Sequence, residues 1–190
     1  MKIQIIIGST RQNRFSEKPA RWLFELAKTR TDFEPELLDL RDYPLPYYDE
    51  PVPPSMLKGN YSNKIAKRWA NKIGEADGYI IVTPEYNHGY PGVLKNALDT
   101  VYEEWDGKPV GFVSYGGAMG TRSVEQLRLV AIELGLVPIE AALQIPVDIF
   151  RAALKLKEGD PSALFEPMKP FANSFLDEIV LWTKALKGIR

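Results

Sequence analysis

The chain contains no cysteine and a single histidine, His88. The absence of cysteine excludes disulfides, thiolate metal sites, iron–sulfur clusters and every mechanism that needs a cysteine nucleophile. It also excludes a small secreted domain held together by disulfides. A lone histidine invites an acid–base role, but the pattern around His88 favours an exposed loop residue. The sequence therefore predicts no metal site.

A strong charge of one sign and long apolar runs are also missing. The formal net charge is −1, which gives no broad attraction to nucleic acid or to an anionic membrane. No window approaches the roughly 18 apolar residues of a membrane span. The apolar run at residues 3–7 is too short for a signal peptide. These absences predict a cytoplasmic protein without nucleic-acid or membrane partners.

What the chain does have is the composition of a folded globular protein. Of its 190 residues, 45% are hydrophobic and 26% are charged, which argues against disorder. This length is enough to bury a full core. We predict a single domain over residues 1–190.

Segments of strand type alternate with segments of helix type along the chain. Strands are predicted at residues 3–7, 34–40, 78–82, 108–114 and 136–139, the last with an extension through residue 145. Helices are predicted at residues 16–30, 60–76, 91–102, 121–134 and 166–186, the first of them capped by Ser16. Two stretches are predicted to be irregular, the proline-rich residues 42–54 and residues 149–165.

This alternation predicts an α/β fold: a doubly wound five-stranded parallel sheet with helices on both faces. A flavodoxin-like sheet of order 2-1-3-4-5 and a half-Rossmann sheet are the two candidates. A dinucleotide fingerprint needs Gly-x-Gly-x-x-Gly after the first strand, whereas residues 8–14 contain only Gly8. We therefore predict the flavodoxin-like order.

The loop after the first strand is rich in hydroxyl and guanidinium groups. Ser9, Arg11, Arg14 and Ser16 all precede the predicted start of a helix. Backbone amides, the helix dipole and hydroxyl donors suit a phosphate dianion, and arginine adds planar pairing. This loop is therefore predicted to bind a phosphomonoester.

Two further loops follow the third and fourth strands. Residues 83–92 are polar, aromatic and punctuated by glycine and proline, and residues 115–120 are rich in glycine. Strands one, three and four are neighbours in the predicted order, so their three loops would line one groove. Ligands bind at the carboxyl ends of strands in such sheets, and Glu85, Tyr86 and Asn87 offer polar and stacking groups there.

Three motifs stand at these loops. They are Gly8-Ser9-Thr10-Arg11, then Pro84-Glu85-Tyr86-Asn87 with Pro91-Gly92-Val93-Leu94-Lys95-Asn96-Ala97-Leu98-Asp99, and Ser114-Tyr115-Gly116-Gly117. With these motifs the chain resembles the NADPH-dependent FMN reductase family, which includes quinone, azo-dye and chromate reductases. The resemblance covers residues 1 to about 140, and its second motif is the most specific.

The resemblance implies tightly bound FMN and a homodimer or homotetramer. The phosphate would be held by Ser9, Arg11 and Ser16, with Arg14 as a further candidate from the same loop. The flavin ring would lie between two groups of residues. On one side are Pro84, Glu85, Tyr86 and Asn87. On the other side are Ser114, Tyr115, Gly116 and Gly117.

The function implied is that of an FMN-dependent NAD(P)H oxidoreductase. In a ping-pong cycle, hydride would pass from the nicotinamide to flavin N5 and then to a quinone-like, azo or metal-ion acceptor. No side chain is predicted to be catalytic, because the cofactor carries the chemistry. Backbone amides near Asn87, Gly116 and Gly117 would stabilise the reduced ring, and Glu85 is expected to act through its backbone.

Two other functions remain open from the sequence. A flavodoxin-type electron carrier has no substrate of its own, and such carriers are commonly strongly acidic, unlike this near-neutral chain. A phosphate-binding hydrolase would share the sheet, but the related low-molecular-weight phosphatases need a cysteine nucleophile. The choice between NADPH and NADH, the acceptor, and the roles of His88 and residues 43–54 are not decided by the sequence.

Overall fold

The structure is a computed structural model that describes residues 1–156 and 161–189. Its sheet contains β1 (Lys2–Ile7), β2 (Glu34–Asp39), β3 (Gly78–Pro84), β4 (Pro109–Tyr115) and β5 (Val137–Gln144). All neighbouring strands are parallel and their order is β2-β1-β3-β4-β5. The predicted doubly wound, flavodoxin-like topology is confirmed, and the extension of the fifth strand is confirmed with it.

The helices of the described residues surround this sheet. They are α1 (Glu17–Lys28), α2 (Pro54–Leu57), α3 (Lys64–Gly74), α4 (Gly92–Asp99), α5 (Thr121–Glu133), α6 (Val147–Lys155), α7 (Ser162–Phe165) and α8 (Lys169–Lys187). Short 3₁₀ turns occupy Leu40–Asp42 and Glu166–Met168. Among these residues, none of the helices combines the length and apolar character needed to cross a membrane.

Two hydrophobic cores lie on opposite faces of the sheet. Ile5 and Ile7 of β1 pack with α1 and α8 on one face, while Ile6 packs with α3, α4 and α5 on the other. Successive side chains of a strand point to opposite faces, so a strand buried on both sides reads as a continuous apolar run. This explains why β1, β3 and β4 were predictable from their apolar runs.

Two sequence predictions in this fold are wrong. Residues 149–165 were expected to be irregular, yet α6 covers residues 149–155 of this segment and α7 covers residues 162–165; residues 157–160 lie outside the described residues. Ala153 and Phe165 are completely buried. Packing against the core therefore stabilises these helices, which are too short to be recognised from the periodicity of their apolar residues. Ser16 precedes α1, but its side chain makes no capping hydrogen bond.

The proline-rich segment is irregular, as predicted, from residue 43 to residue 53. It is fastened to α4 by Asn96, whose Nδ2 donates to the carbonyl of Pro46 at 2.9 Å. The backbone amide of Tyr48 in turn donates to Asn96 Oδ1 at 3.3 Å. Asn96 therefore has a structural role, because it joins the proline-rich segment to α4.

Candidate active site

Three loops meet at the carboxyl ends of the neighbouring strands β1, β3 and β4, as predicted. We name them the first loop (residues 8–16), the second loop (residues 85–91) and the third loop (residues 116–120). Ser9 Oγ lies 3.0 Å from Tyr86 Oη, and the Arg11 guanidinium lies 5.6 Å from the Tyr86 ring centroid. The amide of Glu85 donates to the carbonyl of Tyr115 at 2.9 Å. The three loops therefore form one continuous surface.

The first loop presents a series of unpaired hydrogen-bond donors. The backbone amides of residues 9–13 donate no hydrogen bond to any residue that the structure describes. Arg11 is exposed and forms no ion pair within residues 1–156 and 161–189. Consecutive amides before a helix, with a cation at the tip, bind anions well. The loop fits the predicted phosphate.

Arg14 lies behind this loop instead of at its outer surface. Its side chain is only 1% exposed, and its guanidinium forms a two-bond ion pair with Asp39, one bond being 2.7 Å from Nη1 to Oδ1. Nη1 also donates to the carbonyl of Ser9 at 2.6 Å. The predicted contact of Arg14 with a phosphate remains a prediction, and two of the three guanidinium nitrogens already have partners.

Ser16, the last residue of the first loop, and Tyr115 form a buried polar pair. Both hydroxyl oxygens are buried and neither makes a hydrogen bond of normal geometry. The Tyr115 ring packs edge-on against Phe15 at 4.7 Å between centroids. Burial raises the pKa of Tyr115 well above its ordinary value, so its hydroxyl stays protonated. Its backbone belongs to β4, where its carbonyl accepts from the amide of Glu85 at 2.9 Å.

The second loop contains a two-residue turn. Tyr86 and Gly89 exchange backbone hydrogen bonds of 2.7 and 3.0 Å, and the residues between them, Asn87 and His88, both have positive φ, 50° and 70°. This is the pattern of a type I′ turn, in which asparagine is favoured. Both side chains are exposed, which confirms the interpretation of His88 as an exposed loop histidine.

The Glu85 carboxylate is engaged away from the groove. It is 6% exposed and forms an ion pair with Arg122 at the start of α5. It also accepts a bond of 3.3 Å from the backbone amide of Arg122. A carboxylate at a helix N-terminus is stabilised by the exposed amides and the dipole. Beside it, the carbonyl of Pro84 accepts from Ser123 Oγ at 3.0 Å.

The third loop requires glycine where it approaches the second. Gly116 has φ of 153°, and a Cβ there would lie 3.1 Å from the Cβ of Glu85. Ser114 is buried and its Oγ donates to the carbonyl of Met119 at 2.8 Å. The amides of residues 116–118 donate to none of the described residues, and Gly117 is exposed. The loop therefore offers a second set of amide donors.

Sequence reasoning missed two residues that contact the first loop, Asp39 and Arg41. Arg41 donates to the carbonyl of Arg11 at 2.6 Å and to that of Thr10 at 3.3 Å. The sequence could have indicated both residues, because they lie at the carboxyl end of β2, the strand next to β1 in the predicted order. Within the described ranges, no three side chains of His, Cys, Asp or Glu are grouped so that they could hold a metal ion.

Comparison with known proteins shows the family to which the chain belongs. A family model described as NADPH-dependent FMN reductase matches residues 1–148. The chain belongs to the NADPH-dependent FMN reductase family. It is therefore an oxidoreductase that uses NAD(P)H as electron donor and FMN as its flavin. The resemblance seen in the three motifs is confirmed.

Similar proteins support this assignment over most of the chain. An NAD(P)H-dependent FMN reductase of Schizosaccharomyces pombe is 45% identical, over 86% of this chain and 81% of its own length. A quinone reductase of Pseudomonas putida is 28% identical, over 98% of this chain and 97% of its own. The solved structure of FerB, a flavoenzyme NAD(P)H:acceptor oxidoreductase from Paracoccus denitrificans, aligns with a TM-score of 0.74 at 25% identity and covers 97% of both chains.

Proposed function

We propose that this FMN-dependent NAD(P)H oxidoreductase reduces quinones, and with them other flat acceptors such as azo compounds. The observation that carries the proposal is the continuous surface of three loops, on which unpaired backbone amides replace acid–base side chains. A quinone reductase of Pseudomonas putida and an FMN-dependent NADPH-azoreductase of Staphylococcus saprophyticus are among its relatives. An acceptor that stacks on a planar group needs an open surface more than it needs a shaped pocket.

We propose that the FMN phosphate binds to the amides of the first loop, with Ser9 and Arg11 as side-chain partners. Ser9 is buried beside Tyr86, which places a hydroxyl at the inner end of the row of amides. Arg11 lies at its exposed end, over the Tyr86 ring. A dianion would thus meet donors along the whole loop.

We propose that the flavin ring lies between the second and third loops. Asn87 offers a side-chain amide that is both donor and acceptor, which suits the pyrimidine edge of the ring. Bound FMN supplies the redox chemistry, since it takes electrons from NAD(P)H and passes them to the acceptor. The amides of Gly116 and Gly117 stabilise negative charge there, and the ion pair with Arg122 keeps the charge of Glu85 from opposing it.

The remaining predicted contacts receive more limited roles in this proposal. Pro84, Ser114 and Tyr115 contribute backbone and shape, because the Ser114 hydroxyl is bonded to Met119 and the Tyr115 ring is in the core. Ser16 anchors the end of the first loop, since its hydroxyl is buried. These assignments keep the predicted positions, but at them the main chain contacts the cofactor in place of the side chains.

We propose a ping-pong cycle, in which nicotinamide and acceptor use the same open surface in turn. Initial rates measured with NADPH and a benzoquinone should give parallel double-reciprocal lines. Intersecting lines would require both substrates to be bound together and would refute the shared surface. A protein that gains no flavin absorbance when FMN is added would refute the proposed site altogether.

We also propose that the enzyme is a cytoplasmic homodimer or homotetramer. Large apolar side chains lie exposed on α5 and α8, namely Leu129, Ile132, Leu181 and Trp182. Exposed apolar surface of this kind is common at subunit interfaces. Light scattering coupled to size-exclusion chromatography measures the assembly, and a monomer at micromolar concentration would contradict the proposal.

A further inference from the structure

Three consecutive carbonyls of the first loop are held by two arginines. Arg14 Nη1 donates to the carbonyl of Ser9 at 2.6 Å. Arg41 donates through Nε to the carbonyl of Thr10 at 3.3 Å and through Nη2 to that of Arg11 at 2.6 Å. Both guanidiniums therefore lie on the β2 side of the loop.

Asp39 connects these two arginines. Its carboxylate forms the two-bond ion pair with Arg14 and also accepts from the backbone amide of Arg41 at 2.9 Å. Asp39 is the last residue of β2 and pairs with Ile7 of β1, so the sheet fixes its position. The first loop is thus tied, through one carboxylate, to the end of the edge strand β2.

The direction of the carbonyls determines the direction of the amides. A peptide unit is planar and trans, so its C=O and N–H point to opposite sides. The bonds from Arg14 and Arg41 hold the carbonyls of Ser9, Thr10 and Arg11 towards β2. The amides that share those peptide units, at residues 10, 11 and 12, must then point away from β2. None of the three donates to a described residue.

We propose that Asp39 is a positioning residue for the FMN phosphate, acting through Arg14 and Arg41 to aim the amides of residues 10–12 at it. The inference rests on the proposed placement of the phosphate at the first loop. It reassigns Arg14 from a phosphate contact to a support of the loop. In this proposal Asp39 makes no contact with the cofactor and acts through the geometry of the donors.

The ionic state of Asp39 is consistent with this role. Partial burial alone would raise the pKa of Asp39, but the hydrogen bonds from Arg14 and from the backbone amide of Arg41 outweigh it, and the pKa lies below its ordinary value. The carboxylate is therefore charged at neutral pH and can order both arginines.

The test compares two flavins that differ only in the phosphate. Dissociation constants of FMN and riboflavin are measured by fluorescence titration of the full-length apoprotein, for the wild type, Asp39→Asn and Arg41→Gln. Asp32→Asn is the matched control, because Asp32 forms a similar two-bond pair with Arg30 at the opposite end of β2. Circular dichroism establishes that each variant is folded.

We expect Asp39→Asn to weaken FMN binding by about ten- to a hundredfold, the range for losing one hydrogen bond to a charged group. Riboflavin affinity should change by no more than about twofold, and Asp32→Asn should affect neither flavin. If Asp39→Asn does not fold, Arg41→Gln remains decisive, since Arg41 is exposed and its loss leaves the Asp39–Arg14 pair intact. Its expected effect is a smaller but equally phosphate-selective loss.

The outcomes separate the inference from the proposed function. A wild-type protein that binds neither flavin, or binds both equally, refutes the phosphate site and with it the inference. A wild type that prefers FMN, with variants that keep the same preference, refutes the inference alone. Equal weakening of FMN and riboflavin would mean general damage to the scaffold and would also overturn it.

Discussion

Replacement of Gly120 by alanine tests whether the third loop is as constrained as its geometry indicates. Gly120 joins this loop to α5 with φ of 78°. A Cβ built there lies 2.6 Å from Ser114 Cβ and 2.8 Å from the backbone nitrogen of Tyr115. Both neighbours belong to β4, which is paired with strands on each side. Neither can move without disturbing the sheet.

The cost has two parts that can be estimated separately. A left-handed conformation costs a residue with a Cβ about 1–2 kcal/mol, and forcing an extra methyl into a packed site costs about 1–3 kcal/mol. We expect Gly120→Ala to lower the free energy of unfolding by about 3 kcal/mol. For a chain of this size that corresponds to a fall in Tm of about 6–12 °C.

Thermal unfolding of the apoprotein, followed by circular dichroism, measures this effect without a contribution from cofactor release. Gly117→Ala in the same loop is the matched control, because its Cβ would meet no heavy atom within 4 Å. We expect that control to stay within about 0.5 kcal/mol of the wild type. Equal stability of Gly120→Ala and the wild type, or equal losses in both variants, would refute the reasoning.

Three further predictions concern the remaining contacts. Tyr86→Phe removes the hydrogen bond between the hydroxyls of Tyr86 and Ser9. It should lower the free energy of unfolding, measured by urea denaturation, by about 1 kcal/mol. Glu178→Ala removes an acceptor for two backbone amides of the edge strand β5, at 2.9 and 3.1 Å, and should increase self-association in light scattering, since unpaired strand edges template pairing. Asp39→Asn should make the free energy of unfolding depend less on pH in the acid range. The pKa of Asp39 is lowered in the folded protein, so its carboxylate contributes stability above the unfolded pKa of about 3.8. This stability is lost as pH falls through the folded pKa.

Each of these three has a result that contradicts it. An unchanged urea midpoint in Tyr86→Phe would mean that the two hydroxyls gain nothing from each other. Unchanged scattering of Glu178→Ala after prolonged incubation would mean that other groups protect the edge. For Asp39→Asn, the stability difference from the wild type should shrink as pH is lowered from about 6 to about 3; a constant difference would contradict an ionic role.

Much of the fold was predictable because three of its strands, β1, β3 and β4, are buried on both faces. Residues 3–7, 78–82 and 108–114 stand out as apolar runs, and glycine and proline mark their ends. The helices at residues 149–165 were not predictable. They are short, and packing of side chains such as Ala153 and Phe165 holds them in place, which local periodicity does not reveal. A single domain over residues 1–190 stays a prediction.

The candidate site was predictable in position but less so in detail. Its three loops follow from the strand order, and the motifs within them identified the family. The direction of each side chain did not follow. The sequence makes Arg14 a candidate phosphate ligand, and the structure adds that its guanidinium is paired with Asp39 behind the loop. Asp39 lies 25 residues away along the chain, and only the pairing of β1 with β2 brings the two together.

The sequence by itself therefore determined the strand order, the edge of the sheet that carries the candidate site, and, through the family resemblance, the class of cofactor. These depend on local properties: apolar runs, the lack of a dinucleotide fingerprint and the motif residues. The tertiary structure decided which groups face the groove. It turns the carboxylate of Glu85 towards α5, the ring of Tyr115 into the core and the guanidinium of Arg14 towards β2. The reason is that each of these polar or aromatic groups finds its partner on another element, and burial then fixes its direction.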